Sequence, residues 1–276
     1  MRYGIITDGH SNIQALKKVL ELLDNEVDSI ICLGDIVGYN ANPKECLDLV
    51  RRHKKIKHVI QGNHDRVIGY SNDYNSLSDF SADAKDGAIY SCSILDHEDF
   101  EYLKSLKPNK EIMDADFPFL ISHGIPCHVD PDGYLLYKDD AQFGIEQLKN
   151  EFGMNLGFFG HTHIPTFISS NGDPYSISSD PADFKCRMVE CMEQEFEIDP
   201  DRYYLINPGS IGQPRTEGIT SYAIFDSTKR TVIIKNLTYD FRGAMDAIYE
   251  AGYSRRIAER LDPTDHIKQK LNKTWR

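Results

Sequence analysis

Residues 3–10 read YGIITDGH, residues 30–35 read IICLGD and residues 58–65 read HVIQGNHD. Each is a short apolar run that closes at once on side chains able to bind a metal. Runs this short and this apolar read as buried strands. Between the first two, Asn12 to Leu23 places Ile13, Leu16, Val19, Leu20 and Leu23 at helical spacing. Pro43 to Val50 is a second, shorter helix, with Pro43 suited to its first turn. Strand–helix–strand–helix–strand with short connections predicts a parallel sheet with helices on both faces.

Downstream, residues 66–78 are polar and turn-rich, and 79–105 carry two helices. Phe117 to Ser122 is a strand that ends at His123. Asp140 to Phe152 is helical, and Leu156 to Phe159 is a strand ending in Gly160-His161. Tyr203 to Ile206 is a further strand. Tyr222–Phe225 and Thr231–Asn236 form an antiparallel hairpin with its turn near Asp226 to Arg230. Two helices close the chain within 241–262. The acidic, Ser/Asp/Pro-rich stretch 170–201 fits no element and reads as an insertion or a lid on one domain spanning 1–276.

With 276 residues, 40% hydrophobic and 27% charged, the chain is long enough for a large α/β core. The net charge of −12 repels a DNA backbone and anionic lipid, so stable nucleic-acid or membrane binding is not expected. It also repels an anionic substrate, unless local cations override it. The start, MRYGIITDGH, lacks the basic and apolar regions of a secretory signal, and no apolar run could span a bilayer. Six cysteines at 32, 46, 92, 127, 186 and 191 are too scattered for a disulfide scaffold, and Cys186 and Cys191 read as ordinary thiols rather than half a zinc site. A cytoplasmic location is the expectation.

The chemistry lies in a recurrence. A buried strand ends and a metal-competent residue follows at Asp8/His10, at Asp35, at Asn63/His64, at His123 and at His161/His163. In open α/β sheets, ligands bind where loops fan apart at the carboxyl ends of the strands. Each feature alone has a plainer account. Asp8 could cap the following helix, Gly34-Asp35 and Asn63-His64 could be turns, and His123 could be a hydrogen-bonded core histidine. Five such endings together point to a polynuclear metal site. The other five histidines (His53, His58, His97, His128 and His266) read as surface. Imidazole, carboxylate and amide oxygen suit manganese foremost, with iron, zinc, cobalt or nickel as alternatives, over calcium or magnesium. Asp35 can bridge, since a carboxylate has two oxygens for two cations. A hydroxide shared by two such metals attacks phosphorus in line.

These motifs resemble the calcineurin-like metallophosphoesterase superfamily, whose pattern is Asp-x-His, Gly-Asp, Gly-Asn-His-Asp/Glu, a later His, and Gly-His-x-His. Here they stand as Asp8-Gly9-His10, Gly34-Asp35, Gly62-Asn63-His64-Asp65, Ser122-His123-Gly124 and Gly160-His161-Thr162-His163. The resemblance implies a four-layer α/β/β/α sandwich of two mixed sheets. It implies one divalent or trivalent transition metal on Asp8, His10, Asp35 and His163, and a second on Asp35, Asn63, His123 and His161. His64 is then the residue that protonates the leaving oxygen or steadies the pentacovalent phosphorus. A narrower resemblance, through Gly34–Tyr39, Asn207–Arg215 and the C-terminal helices, is to the bacterial and archaeal branch labelled diadenosine-tetraphosphatase or phosphodiesterase-related. Arg215 becomes a candidate phosphate contact, the alternative being a surface ion pair. Tyr39, Asn40 and Asn63 line the substrate side, although packing accounts equally for Tyr39.

Departures from the pattern separate the candidate activities. Ser/Thr protein phosphatases and symmetrically cleaving diadenosine tetraphosphatases carry Arg where this chain has Tyr39. The protein phosphatases also carry, where this chain has Gly38, an Asp that orients the catalytic His, so His64 is left without an assigned partner. Ser11 replaces a common Gly, with little effect expected. The expectation is hydrolysis of phosphodiester or nucleotide anhydride bonds in a small phosphorylated substrate, a nucleotide among the candidates. Phosphomonoesterase or protein-phosphatase activity is the alternative, and a non-catalytic scaffold on the same fold is the third reading.

Overall fold

The computed structural model describes residues 1–70, 80–128, 132–170, 193–216, 218–253 and 255–263. The N-terminal half runs β1 (Arg2–Ile6), α1 (Ile13–Leu23), β2 (Ser29–Cys32), α2 (Pro43–Arg52), β3 (Ile56–Val59), α3 (Asn63–Gly69), α4 (Ala82–Ile94), α5 (His97–Ser105), β4 (Asn109–Ile112) and β5 (Phe119–Ser122). There follow α6 (Lys138–Asn150), β6 (Leu156–Phe158), β7 (Thr166–Ser169), β8 (Glu193–Glu197), β9 (Tyr204–Asn207), β10 (Thr220–Asp226) and β11 (Thr231–Leu237). Two helices, α7 (Phe241–Glu250) and α8 (Arg255–Glu259), come last.

The strands form two mixed sheets, of order β3-β2-β1-β10-β11-β8 and β4-β5-β6-β9-β7. Within the first, β1, β2 and β3 are parallel and β10 returns antiparallel to β1, with Arg2 opposite Asp226. Within the second, β5, β6 and β9 are parallel. Alternation along each strand divides the core into layers. Ile6, Ile30, Cys32 and Ile224 face α1 and α2, where they meet Leu16, Val19, Leu20 and Leu47. Ile5, Ile31, Ala223 and Phe225 face the opposite way, onto Phe119, Ile121, Phe158 and Ile206 of the second sheet. Leu120 and Leu205 then face α6 through Ile145 and Leu148. The four-layer sandwich is the architecture observed.

Several local expectations change. Each sheet carries helices on one face only; its other face is covered by the partner sheet. An apolar strand is buried on both sides either way, so its sequence does not say which layer covers it. The helix α1 is capped by Asn12, whose side chain accepts the Ala15 N–H at 3.0 Å, and not by Asp8. Residues 66–69 are helical, within α3. Of the stretch 170–201, residues 193–197 are an edge strand, with Phe196 stacked on Phe167 at 4.1 Å. Residues 171–192, with Cys186 and Cys191, lie outside the described residues, as do 71–79 and His266. Strands β4 and β7 were not foreseen. The surface reading fits His97 and His128, whereas His53 and His58 are half-buried.

The C-terminal helices have a small core of their own, Ala244, Ile248, Ile257, Ala258 and Leu261, which also meets Ala41. Arg256 donates twice to Asp83 Oδ2, at 2.9 and 2.6 Å, tying α8 to α4. Among the described residues no helix is long and apolar enough to cross a membrane.

The centre of the sandwich is aromatic. Phe119 is fully buried, with the rings of Tyr3, Phe225 and Phe158 at 5.2, 5.3 and 5.6 Å, all edge-to-face. Phe119→Ala is expected to cost about 3–5 kcal/mol, read as a lowered urea midpoint at unchanged slope. A loss under about 1 kcal/mol would show that the sheets do not depend on this contact.

Candidate metal centre

Five of the six parallel strands end in a loop that delivers a candidate ligand: β1 gives Asp8 and His10, β2 gives Asp35, β3 gives Asn63, β5 gives His123, and β6 gives His161 and His163. The turns are sharp. Among the described residues eight non-glycine positions have positive φ, and seven of them lie here: Asp8, His10, Ser11, Asp35, Tyr39, His161 and His163. Left-handed backbone costs an ordinary residue roughly 1 kcal/mol or more. That strain is concentrated where donor groups must turn inwards.

The side chains converge as two sets that share Asp35. Donor atoms of Asp8, His10, Asp35 and His163 lie within 4.8 Å of one another, as do those of Asp35, His123 and His161, and all six residues are buried. His10 Nδ1 faces the Val37 carbonyl at 3.1 Å, His163 Nδ1 faces the Gln213 carbonyl at 2.5 Å, and His123 Nδ1 faces the Leu33 carbonyl at 2.7 Å. A carbonyl only accepts, so each Nδ1 carries a hydrogen, and a neutral ring then offers a lone pair at Nε2. Yet His10 Nε2 and His163 Nε2 face each other at 3.0 Å. His123 Nε2 faces two more acceptors, Asn63 Oδ1 at 3.2 Å and Asp35 Oδ2 at 3.3 Å. His161 Nε2 is buried with no hydrogen-bond partner among the described residues. The opposed lone pairs of His10 and His163, with an orphaned His161 nitrogen near by, fit bound cations. The N and O donor set suits first-row transition metals.

Asp35 is held for sharing. Its Oδ1 accepts the His64 N–H at 2.8 Å, leaving Oδ2 to face His10 Nε2 at 3.5 Å and His123 Nε2 at 3.3 Å. The oxygen common to both sets is thus Oδ2 alone, rather than one oxygen for each. Asp8 accepts the His161 N–H through both oxygens, at 3.3 and 3.1 Å, which clips the ends of β1 and β6 together across the two sheets.

Burial and neighbouring charge set the proton affinities. Burial would raise Asp8, but His163 and then His123 outweigh it and hold the carboxyl well below its usual range. Burial would likewise raise Asp35, and His123, His64 and His10 hold it down. Burial pulls His161 down to about 3 and His64 to about 4, in the second case against the attraction of Asp35. His123 goes the other way: burial lowers it, but Asp35 and Asp8 push it up to about 10. Without a metal, a proton on His123 supplies the positive charge that the cluster lacks.

Several residues shape the site through roles not assigned to them from sequence. Asp65 accepts from Ile36 N–H at 2.9 Å, Val37 N–H at 3.2 Å and Gly62 N–H at 3.1 Å, binding the β2 loop to the β3 loop. Asn40 donates to the His10 carbonyl at 2.7 Å and to the Gly212 carbonyl at 3.0 Å. Gly212 sits so close to the β1 loop that a Cβ there would lie 1.8 Å from the Gly9 carbonyl oxygen. Gln213 orients His163. The run Asn207–Arg215 was visible, but which of its atoms face inwards depends on backbone turns that composition does not encode.

His64 is buried beside the cluster. Its Nδ1 has no hydrogen-bond partner among the described residues and faces Gly38, where a Cβ would lie 2.5 Å away. Ring contacts hold it instead: Phe80 at 4.4 Å, His10 at 4.8 Å and Tyr39 at 4.9 Å. Tyr39 is buried, whereas Arg215 is exposed, with its N–H donating to the His163 carbonyl at 3.4 Å. Burial raises the Tyr39 hydroxyl, and Arg215, close by, opposes this.

This fold and site define a metallophosphoesterase class. The model of the calcineurin-like phosphoesterase superfamily domain matches residues 1–230, and the chain belongs to that family. It is 34% identical over 265 residues to the uncharacterised protein MJ0912 of Methanocaldococcus jannaschii, covering 94% of this chain and 96% of that one. Among solved structures, a metallophosphoesterase from Sphaerobacter thermophilus matches with a TM-score of 0.73 at 30% identity, over 95% of this chain and 98% of its own. A hypothetical protein from Pyrococcus horikoshii, PH1004, shares the fold, with a TM-score of 0.73 at 19% identity over 94% of this chain and 97% of its own. Family membership and the buried Asp/His cluster together support a metal-dependent phosphoesterase.

The raised His123 makes a pH prediction. Its folded pKa of about 10 exceeds the unfolded value near 6.5, so its stabilisation of chelator-treated protein is complete below pH ~6.5 and is lost as pH rises through about 10. A cation must expel that proton, so manganese binding at pH 8 is expected to release protons, measured by calorimetry in buffers of different ionisation enthalpy. Metal uptake with no proton release would show that His123 is neutral beforehand.

Proposed function

We propose that this protein is a dinuclear metallohydrolase that cleaves phosphodiester or nucleotide phosphoanhydride bonds, and that manganese is its leading metal. The observation that carries the reading is the pair of buried donor sets sharing Asp35, whose Oδ2 is faced by His10 Nε2 from one set and His123 Nε2 from the other. Asp8, His10, Asp35 and His163 would hold one ion, and Asp35, Asn63, His123 and His161 the other. When bound, the ions supply charge neutralisation for phosphoryl oxygens and a water acidic enough to ionise near neutral pH.

The remaining work belongs to the protein. Burial keeps the His64 ring neutral at pH 7, so it serves as a hydrogen-bond donor to developing charge at phosphorus or at the leaving oxygen. Phe80, His10 and Tyr39 fix its plane by packing, in place of a hydrogen-bonded carboxylate. Arg215 would meet a phosphate oxygen through its planar fork. With Tyr39 where protein phosphatases and symmetrically cleaving diadenosine tetraphosphatases carry Arg, the residues count against phosphoproteins and against that symmetric cleavage, which leaves diesters and other anhydrides. His64 and all the candidate ligands are present, which supports catalysis over a purely structural role. The net charge of −12 favours a small substrate over a nucleic acid and fits a cytoplasmic protein.

His64→Ala is expected to keep its metal content by elemental analysis while losing about 10²–10⁴-fold in turnover of bis-p-nitrophenyl phosphate. Asp35→Ala is expected to lose metal and turnover together. Wild-type-like turnover in His64→Ala would remove its assigned role. A preference for p-nitrophenyl phosphate over the diester would favour the monoesterase instead.

A further inference from the structure

Tyr134 lies at the mouth of the site. Its ring packs on that of His161 with centroids 3.9 Å apart and planes tilted by 39°, yet the residue remains 43% exposed. One side of the phenol therefore rests on a ring of the donor cluster while the remainder meets solvent. Beside it, Asp132 is paired with Arg66, a residue of the helix that also carries Asn63 and His64. That pair cancels its own charge, so this end of the site presents no net cation. The other end differs: there Arg215 is exposed, its backbone N–H donates to the His163 carbonyl, and its charge acts on Tyr39, whose ring lies 6.4 Å from that of His163. The surroundings are thus polarised, with a positive group beside His163 and a neutral aromatic surface beside His161. In a chain of net charge −12, a ligand gains nothing from the long-range field at the neutral end. What an exposed phenol ring offers there is stacking, which is indifferent to charge.

We propose that Tyr134 is a specificity-determining residue, a platform on which a planar uncharged ring of the substrate, a nucleobase or an aryl group, stacks while its phosphoryl group sits at the donor cluster. The proposal deepens the phosphoesterase reading and rests on it. A residue that only held His161 in place would affect every phosphoester alike. A platform affects only those that carry a ring.

The test is calorimetric binding of AMP and of ribose 5-phosphate to manganese-loaded wild type, Tyr134→Ala and Tyr134→Phe. Wild type is expected to bind AMP about tenfold more tightly, the scale of one base-on-aromatic stack. Tyr134→Ala should bring the two affinities together, and Tyr134→Phe should keep them apart. In parallel, the ratio of kcat/KM for thymidine 5′-p-nitrophenyl phosphate to that for methyl p-nitrophenyl phosphate should fall about tenfold in Tyr134→Ala, through KM, and persist in Tyr134→Phe. Equal binding of AMP and ribose 5-phosphate to wild type, a preference that survives Tyr134→Ala, or an unchanged ratio between the esters would each overturn the proposal. If wild type cleaves neither ester but keeps its Tyr134-dependent preference for AMP, the platform stands and the phosphoesterase reading falls.

Discussion

Lone pairs pointed at one another repel unless positive charge lies among them, and this fold is arranged to point them. His10 and His163 oppose their Nε2 atoms, while His123 aims at a carboxylate and an amide oxygen, all inside a buried site. Each ring is locked in that attitude by a backbone carbonyl behind it, at Val37, Gln213 or Leu33. Those carbonyls belong to the loops that succeed other strands, so each candidate ligand is oriented by an element other than its own. The sandwich can be understood as the apparatus that imposes this arrangement. Two sheets are stacked so that parallel strands end at a common edge, and the turns beyond them take up left-handed backbone that an unconstrained chain would avoid.

That dependence explains why so many polar residues here are buried without being ligands. Asp65, Asn12, Asn40 and Ser210 bond mainly to backbone, stitching the loops after β1, β2, β3 and β9 into one unit. Loops normally tolerate change because they are solvated. These are as constrained as the core, and Gly212 shows why: the β9 loop lies against the β1 loop with no space for a methyl group between them. His64 is the contrasting case. It has ring packing on several sides and an Nδ1 with no hydrogen-bond partner among the described residues, where shape rather than a side-chain hydrogen bond sets its position.

Much of this was legible in the sequence, for a physical reason. A strand buried on both faces must be apolar throughout, so the first Asp, Asn or His after it stands out, and five such endings identified the site. The chain order of helices and strands could be read from periodicity in the same way. What could not be read depends on relations between elements. Whether helix or sheet covers Ile5 and Ile31 leaves no trace in residues that are apolar either way. Strand β4, NKEI, is a polar edge piece, and β8 alternates exposed glutamates with half-buried residues, so neither shows an apolar run. Gln213 and Tyr134 acquire meaning only from what they touch, respectively His163 and His161. Asn12 caps α1, so the plainer account of Asp8 as a helix cap does not hold.

The pairing of β1 with β10 carries a consequence for how the protein comes into being. Arg2 lies opposite Asp226, and the amino group of Met1 donates to Ser227 at 2.8 Å. Strand β1 is therefore flanked by a strand far along the chain, and contacts so distant in sequence form slowly. While it is still emerging from the ribosome, the chain can hold Asp8, His10 and Asp35 but cannot yet fix them. Fixing of the candidate ligands is thereby tied to the arrival of β10, and a chain cut short before that strand would be a poor scavenger of transition metals.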